Sequence, residues 1–398
     1  MNIIDRKEYL NFLLKHKDKQ IIKVVSGIRR CGKSTLFDIY KDYLIKSGVS
    51  KERIISINLE DITYQDKNYK ELYFYIKNKL IEGQMTYVFL DEIQNCTNFE
   101  KMVDSLFIQS NVDIYITGSN AYFMSGELAT LLSGRYVELK MLPLSFKEYV
   151  SGINNSKSIV KKYNDYITFS SFPYTISYKD DLKAVQDYLR GIYSTILLKD
   201  VVQRYKITDV MMLESVASFI FDNIGNRLSV NNIANILTAN GRTTNDKTVE
   251  KYLQALINSL IIYQVKRYNI KGRQLLKTQA KYYIADLGLR YLICGIKGKD
   301  EGHILENVIY LELLRRGYNV YIGQNEENEI DFVASTPEDT IFIQVSLSVK
   351  DQNTYEREIA PLKSLNNSYS KIILTMDESP IKDDNGIKII YALDWLLK

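Results

Sequence analysis

A chain of 398 residues is too long for one ordinary core and implies two to three domains. Its 45% apolar and 25% charged content excludes a disordered polymer, and a net charge of +4 gives no general affinity for polyanions. Three cysteines without CxxC spacing and only two histidines argue against a zinc site or a disulfide framework.

The opening, "MNIIDRKEYLNF", has no apolar signal region, and no run of eighteen apolar residues follows anywhere. The expectation is a soluble protein of a reducing cytoplasm, with no membrane partner. "QIIKVV" (20–25) reads as a buried strand, and "STLFDIYKDYLIKSG" as a helix ending near Gly48. Between them lies Gly27-Ile28-Arg29-Arg30-Cys31-Gly32-Lys33-Ser34, followed by Thr35. Strand, glycine loop and helix are the context a GxxxxGK[ST] motif requires. The glycines let main-chain N–H groups curl around a phosphate at a helix N-terminus. Lys33 supplies a point charge for the β- and γ-phosphates, and the Ser34 hydroxyl a ligand for Mg²⁺.

"TYVFLDEIQN" (86–95) is an apolar strand ending in Asp91 and Glu92. Downstream of a phosphate loop, Asp91 is expected to orient the Mg²⁺ shell and Glu92 to accept a proton from attacking water. The strand "VDIYITGSN" (112–120) ends at Ser119 and Asn120, which read either as sensors of the γ-phosphate or as an ordinary turn. In "LLSGRYVELKMLPLS", Arg135 reads as a finger reaching a γ-phosphate, in a neighbouring copy if the chain forms a homo-oligomer, or as a surface ion-pair partner.

"GIRRCGKSTL", "VFLDEIQ", "ITGSNA", "LSGRYVEL" and "LPLSFKEY" resemble the core of a bacterial and archaeal group of AAA-type ATPases. The likeness runs on through "DYLRGIYSTILLKDVVQRY", "KYYIADLGLR", "NEIDFVA" and "YEREIAPL", over nearly the whole chain. It implies ATP and Mg²⁺ as ligands, and a C-terminal domain of uncharacterised, restriction-endonuclease-like type.

Beyond the polar "SGINNSKS" (151–158) the pattern to about residue 223 is helical, as in a lid. Ser229 and Asp246 are N-caps for two further helices, and alternating segments around "NIKGRQ" read as a hairpin. Helix, helix, wing is a winged-helix pattern. From Tyr252 to Ala285 there is no acidic residue, whereas Lys266, Arg267, Lys271, Arg273, Lys277 and Lys281 all fall there, interleaved with tyrosines. This Lys266–Lys281 segment reads as a DNA-contacting surface or as the solvated face of a protein spacer.

After "CGIKGKDEGH" the chain restarts as helix, strands, helix, strand. Active restriction-endonuclease-like folds need an Asp, a second carboxylate and a lysine. Glu306 and Asp331 match the first places, but Gln344 and Ser346 stand where the second metal carboxylate and the lysine would be. Lys350, further along on the face of Gln344, is the one displaced substitute, and a nuclease-inactive docking module is expected.

The fold class expected is α/β: an AAA-type P-loop NTPase domain with a parallel sheet (1–150), a helical lid (151–225), a winged-helix domain (226–293) and a restriction-endonuclease-like domain (294–398). The function expected is ATP hydrolysis driving a conformational change on DNA or a partner protein. A slow nucleotide-dependent switch shares every ATP residue with it. An ATP-controlled nuclease and a small-molecule kinase fit the sequence less well.

Overall fold

The computed structural model describes residues 4–118, 132, 134–153, 155–178, 181–295, 300–326, 328–365, 368–380 and 383–398. The chain divides into two compact units, one running up to Pro143 together with Asn258–Leu260, the other made of Leu144–Ile257 and Ile261–Lys398. Among the described residues no helix is long and apolar enough to cross a membrane.

In the first unit, β1 (Ile22–Gly27), β2 (Ile54–Asn58), β3 (Thr86–Asp91), β4 (Val112–Gly118) and β5 (Tyr136–Met141) form a parallel sheet ordered β2-β3-β4-β1-β5. β1, β3 and β4 are buried along their whole length, which is why they read as near-continuous apolar runs. Helices α1 (Lys7–Lys15), α2 (Lys33–Lys46), α3 (Tyr69–Lys77) and α4 (Phe99–Phe107) connect or flank the strands. α4 buries Phe99, Met102, Val103 and Leu106 at helical spacing, and these join Val24, Leu90 and Ile116 in one core. Because all five strands run the same way, β1, β3 and β4 end together on one edge, at Gly27, Asp91 and Gly118.

In the second unit, helices Phe146–Gly152, Ile159–Phe169, Leu182–Thr195 and Val210–Asp222 precede α5 (Val230–Ala239) and α6 (Asp246–Asn258). The stretch Ile196–Gln203 winds as a π-helix rather than as the α-helix its apolar spacing suggests. Asp286 ties this unit together: it caps helix Leu287–Cys294 through Leu289 N–H (3.0 Å) and accepts from Ser170 Oγ (2.9 Å), Ser171 N–H (2.7 Å) and Ser171 Oγ (2.6 Å). Gly288 permits that approach, since a Cβ there would lie 2.5 Å from Ser170 Cβ and 2.8 Å from its Cα.

β6 (Ile262–Asn269) and β7 (Gln274–Ile284) form an antiparallel hairpin around the residues expected to turn. It does not stand free as a wing. β6 pairs in parallel with β8 (Asn319–Asn325), Arg267 opposite Ile322, so the hairpin is one edge of an eight-stranded sheet. That sheet continues through β9 (Asn328–Ser335), β10 (Thr340–Ser346), β11 (Ser370–Thr375), β12 (Asp383–Asp384) and β13 (Ile387–Tyr391), in the order β12-β13-β11-β10-β9-β8-β6-β7. The physical reason is the outer edge of β8, whose N–H and C=O groups need partners, which β6 supplies from Ile322 to Gln324. α7 (Glu301–Arg315) and α8 (Gln352–Lys363) pack on this sheet.

Candidate active site

The loop from β1 to α2 is built from its glycines. A Cβ on Gly27 would lie 2.3 Å from the Met141 carbonyl oxygen and 2.9 Å from Cys31 Sγ, so only glycine fits against β5. Gly32 takes a left-handed φ of +104° as the residue before α2. Lys33 is buried and donates to the carbonyls of Gly27 (3.1 Å) and Ile28 (3.3 Å), arching over the loop that precedes it. Ser34 and Thr35 are exposed on the first turn of α2, and Arg30 is exposed with φ +67°. Arg29 reaches Glu60 at 3.5 Å. Ile28 and Cys31 point inward, and burial pushes the Cys31 thiol up.

The carboxylates arrive from β3. Asp91 accepts a hydrogen bond from Thr117 Oγ1 at the end of β4, and the same oxygen accepts from the Glu92 N–H at 3.0 Å. One threonine hydroxyl thus fixes both acidic residues. Glu92 is left-handed (φ +52°), accepts from Gln94 Nε2, and brings Oε1 to 4.0 Å from the Lys33 ammonium. An ammonium, a glycine-bounded loop at a helix N-terminus, an exposed hydroxyl and a buried Asp form a donor set suited to a phosphate chain with a hard divalent cation.

Arg135 is not part of this cluster. It lies exposed just before β5, its side chain over the Phe107 ring at 5.4 Å. The register of β1 and β5 puts it beside Ile22, about 17 Å of strand from Gly27 at the usual rise per residue. Ser119 and Asn120 lie outside the described residues.

Sequence reasoning passed over Arg6 and Thr117. Arg6 is buried, stacks on Tyr9 (4.7 Å) and donates to the carbonyls of Cys31 (3.1 Å) and Leu142 (2.8 Å), bracing the glycine loop from behind. Nothing in the local pattern around Arg6 signals this. Thr117, a hydroxyl in the last turns of an apolar strand, was the legible one.

In the second unit the Lys266–Lys281 segment requires correction. Lys281 does not face solvent: it is 4% exposed and its ammonium lies 3.0 Å from Glu329, 3.2 Å from Glu306 and 3.6 Å from Asp331. Tyr283, two residues on, donates to Glu306 at 3.0 Å. The reason is charge compensation, because three carboxylates packed between α7 and β9 need a cation. A lysine inside the apolar run "AKYYIA" was the signal. Burial alone would lower the Lys281 ammonium, but the three carboxylates outweigh it and raise it. Asp331 is pushed up to about 7 by burial and by Glu306. Lys266, Lys271 and Arg273 are exposed, and Arg267 donates to Gln324 at 2.8 Å.

Lys350 is also displaced from the expected place. It is exposed and lies 3.7 Å from Asp377, while Gln344 donates to Glu358 at 3.0 Å and accepts from the Asp331 N–H at 3.2 Å. Ser346 donates to the Ser348 carbonyl at 3.0 Å.

The sequence profile of an AAA domain matches residues 19–150, and that of a domain of unknown function matches residues 160–300. An uncharacterised protein of Haemophilus influenzae is 40% identical over 401 residues, covering 100% of this chain and 99% of that one. A second, from Methanocaldococcus jannaschii, is 30% identical over 388 residues, covering 90% of this chain and 82% of its own. Among solved structures, the Walker-type ATPase of Pyrococcus abyssi shares the fold at 17% identity, with a TM-score of 0.52 over 74% of this chain and 96% of that one.

Proposed function

The chain belongs to the family of AAA-domain proteins that includes these Haemophilus and Methanocaldococcus relatives, and from that premise we propose that it is an ATP hydrolase. The observation that carries the reading is the convergence of Lys33, Asp91 and Glu92 on the edge where the glycine loop ends β1. The amides of residues 27–34 would hold the phosphates, with Lys33 countering their charge and Ser34 and Asp91 holding Mg²⁺. Mg²⁺, when bound, neutralises charge on the phosphate oxygens. Glu92 takes the proton of the attacking water; its backbone is pinned by Thr117 and its carboxylate steadied by Gln94. Arg135 can act only across an interface between two copies, where its exposure suits a finger role.

Hydrolysis would move the second unit on DNA, through the exposed cations of the β6–β7 hairpin. The Lys281 cluster serves as a structural counter-ion site: the ammonium neutralises the carboxylates that a nuclease would turn toward metal. Its three free cysteines suit the cytoplasm.

The test is phosphate release by wild type, Lys33→Ala and Glu92→Gln in magnesium buffer, with binding of labelled ATP read alongside. Wild type turns over, neither variant does, and only Glu92→Gln retains ATP. Wild type that fails to hold ATP refutes the proposal. Nicking of supercoiled plasmid by wild type but not by Asp331→Ala would refute the structural reading of the C-terminal cluster.

A further inference from the structure

Between the tip of the β6–β7 hairpin, the strands β8–β10 and the end of α8 lies an open cavity of about 830 Å³. Its walls carry two aromatic pairs. Tyr268 and Tyr321 stand 5.8 Å apart, tilted by 35°, and Phe342 and Tyr369 stand 6.0 Å apart, tilted by 41°. Tyr369 presents about half its surface to solvent, a large exposure for a ring over a core strand. At the hairpin tip Lys271 and Arg273 line the same cavity. Among the described residues, Glu326 is the acidic residue on its wall; it meets Lys271 at 3.4 Å, but both side chains are more than 70% exposed, so the pair holds weakly. Aliphatic side chains and small polar groups make up the rest of the described lining, Asn325 donating to Ser364 at 2.9 Å.

We propose that this cavity binds a short stretch of single-stranded nucleic acid, bases against Tyr268, Tyr321 and Tyr369 and phosphates on Lys271 and Arg273. Flat rings accept any base face, and a base in a duplex is already stacked, so the aromatic wall selects unpaired strands. Two cations flanking the rings give the charge complementarity that a neutral or basic peptide lacks. The inference rests on the reading that the second unit acts on nucleic acid, and names the strand and the site. It uses no residue of the ATP site.

The experiment is fluorescence anisotropy of the full chain with labelled dT20, U20 and a 20-bp duplex, across a salt series. dT20, U20 or both bind more tightly than duplex, and the two single strands tell DNA from RNA. Tyr268→Ala and Tyr369→Ala each weaken single-strand binding about tenfold. Lys271→Ser/Arg273→Ser lowers the slope of log K against log salt by about 1.4. Melting temperature and ATP turnover of each variant are read in parallel, and Tyr369→Ala, at an exposed ring, serves if Tyr268→Ala misfolds. If duplex binds as well as dT20 and the tyrosine variants change nothing, this proposal fails while the DNA reading stands. Displacement of dT20 by poly-glutamate of equal charge also overturns it, since the groove then reads charge alone. No binding of any nucleic acid ends both.

Discussion

The Lys33 ammonium stands 4.0 Å from a carboxylate oxygen of Glu92, although one residue follows β1 and the other follows β3, with β4 between them. On the proposed reading the pair separates binding from chemistry. Glu92→Gln keeps the shape and the contact with Gln94 but cannot take a proton, so kcat should fall about 10²–10⁴-fold with KM little changed. Steady-state phosphate release gives both constants; a drop in KM-limited rate alone would assign Glu92 to binding.

In the proposed site Thr117 is a positioning residue, since its hydroxyl joins Asp91 and the Glu92 N–H. Thr117→Val leaves the Glu92 N–H unpaired in a buried place and frees Asp91, costing about 1–3 kcal/mol of stability. We expect kcat to fall further than the shift in Tm accounts for, and Thr117→Ser to restore it. Equal loss in the valine and serine variants would mean that the hydroxyl alone does not position the two acids.

Lys281→Met tests the buried charge cluster through pH. In the wild type the Asp331 carboxyl, pushed up to about 7, holds a proton in the folded chain that the unfolded chain releases above about 3.9. That contribution is full below about pH 4 and is lost as pH rises toward 7. Lys281, raised by its three carboxylates, contributes throughout the neutral range and loses this only above its ordinary value near 10.5. Removing the ammonium leaves carboxylates uncompensated, so urea melts at pH 8 should lose about 3–5 kcal/mol and melts at pH 5 less. A loss independent of pH contradicts the arrangement.

Gly288→Ala should destabilise the second unit by about 1–3 kcal/mol, because the new methyl meets the Ser170 backbone at 2.8 Å rather than a mobile side-chain end. Thermal melting measures it, and Gly302→Ala, whose Cβ would meet nothing within 4 Å, is the matched control.

The nucleotide end of the chain is legible because its chemistry is local. Gly27, Gly32, Lys33 and Ser34 are consecutive constraints on one turn, and Asp91 and Glu92 end an apolar strand. The hairpin's turn was equally readable from "NIKGRQ". Its membership of the larger sheet was not, because pairing of Arg267 with Ile322 joins residues 55 positions apart, and nothing in either segment names its partner. Lys281 shows the same limit: a charge count sees a basic residue, whereas Glu306, Glu329 and Asp331 decide its environment from α7 and β9. "ADLGLR" is part of the family resemblance, and the structure gives these residues a physical role in the Asp286 cap and the close approach allowed by Gly288.

The seam between β6 and β8 has a practical outcome for anyone dissecting this protein. A fragment cut at residue 294 would lose both hairpin strands, bare a sticky backbone ladder along β8, and strip three acids of their neutralising ammonium at one stroke. Such a piece should clump rather than fold, whereas one beginning at residue 144 keeps the plate whole.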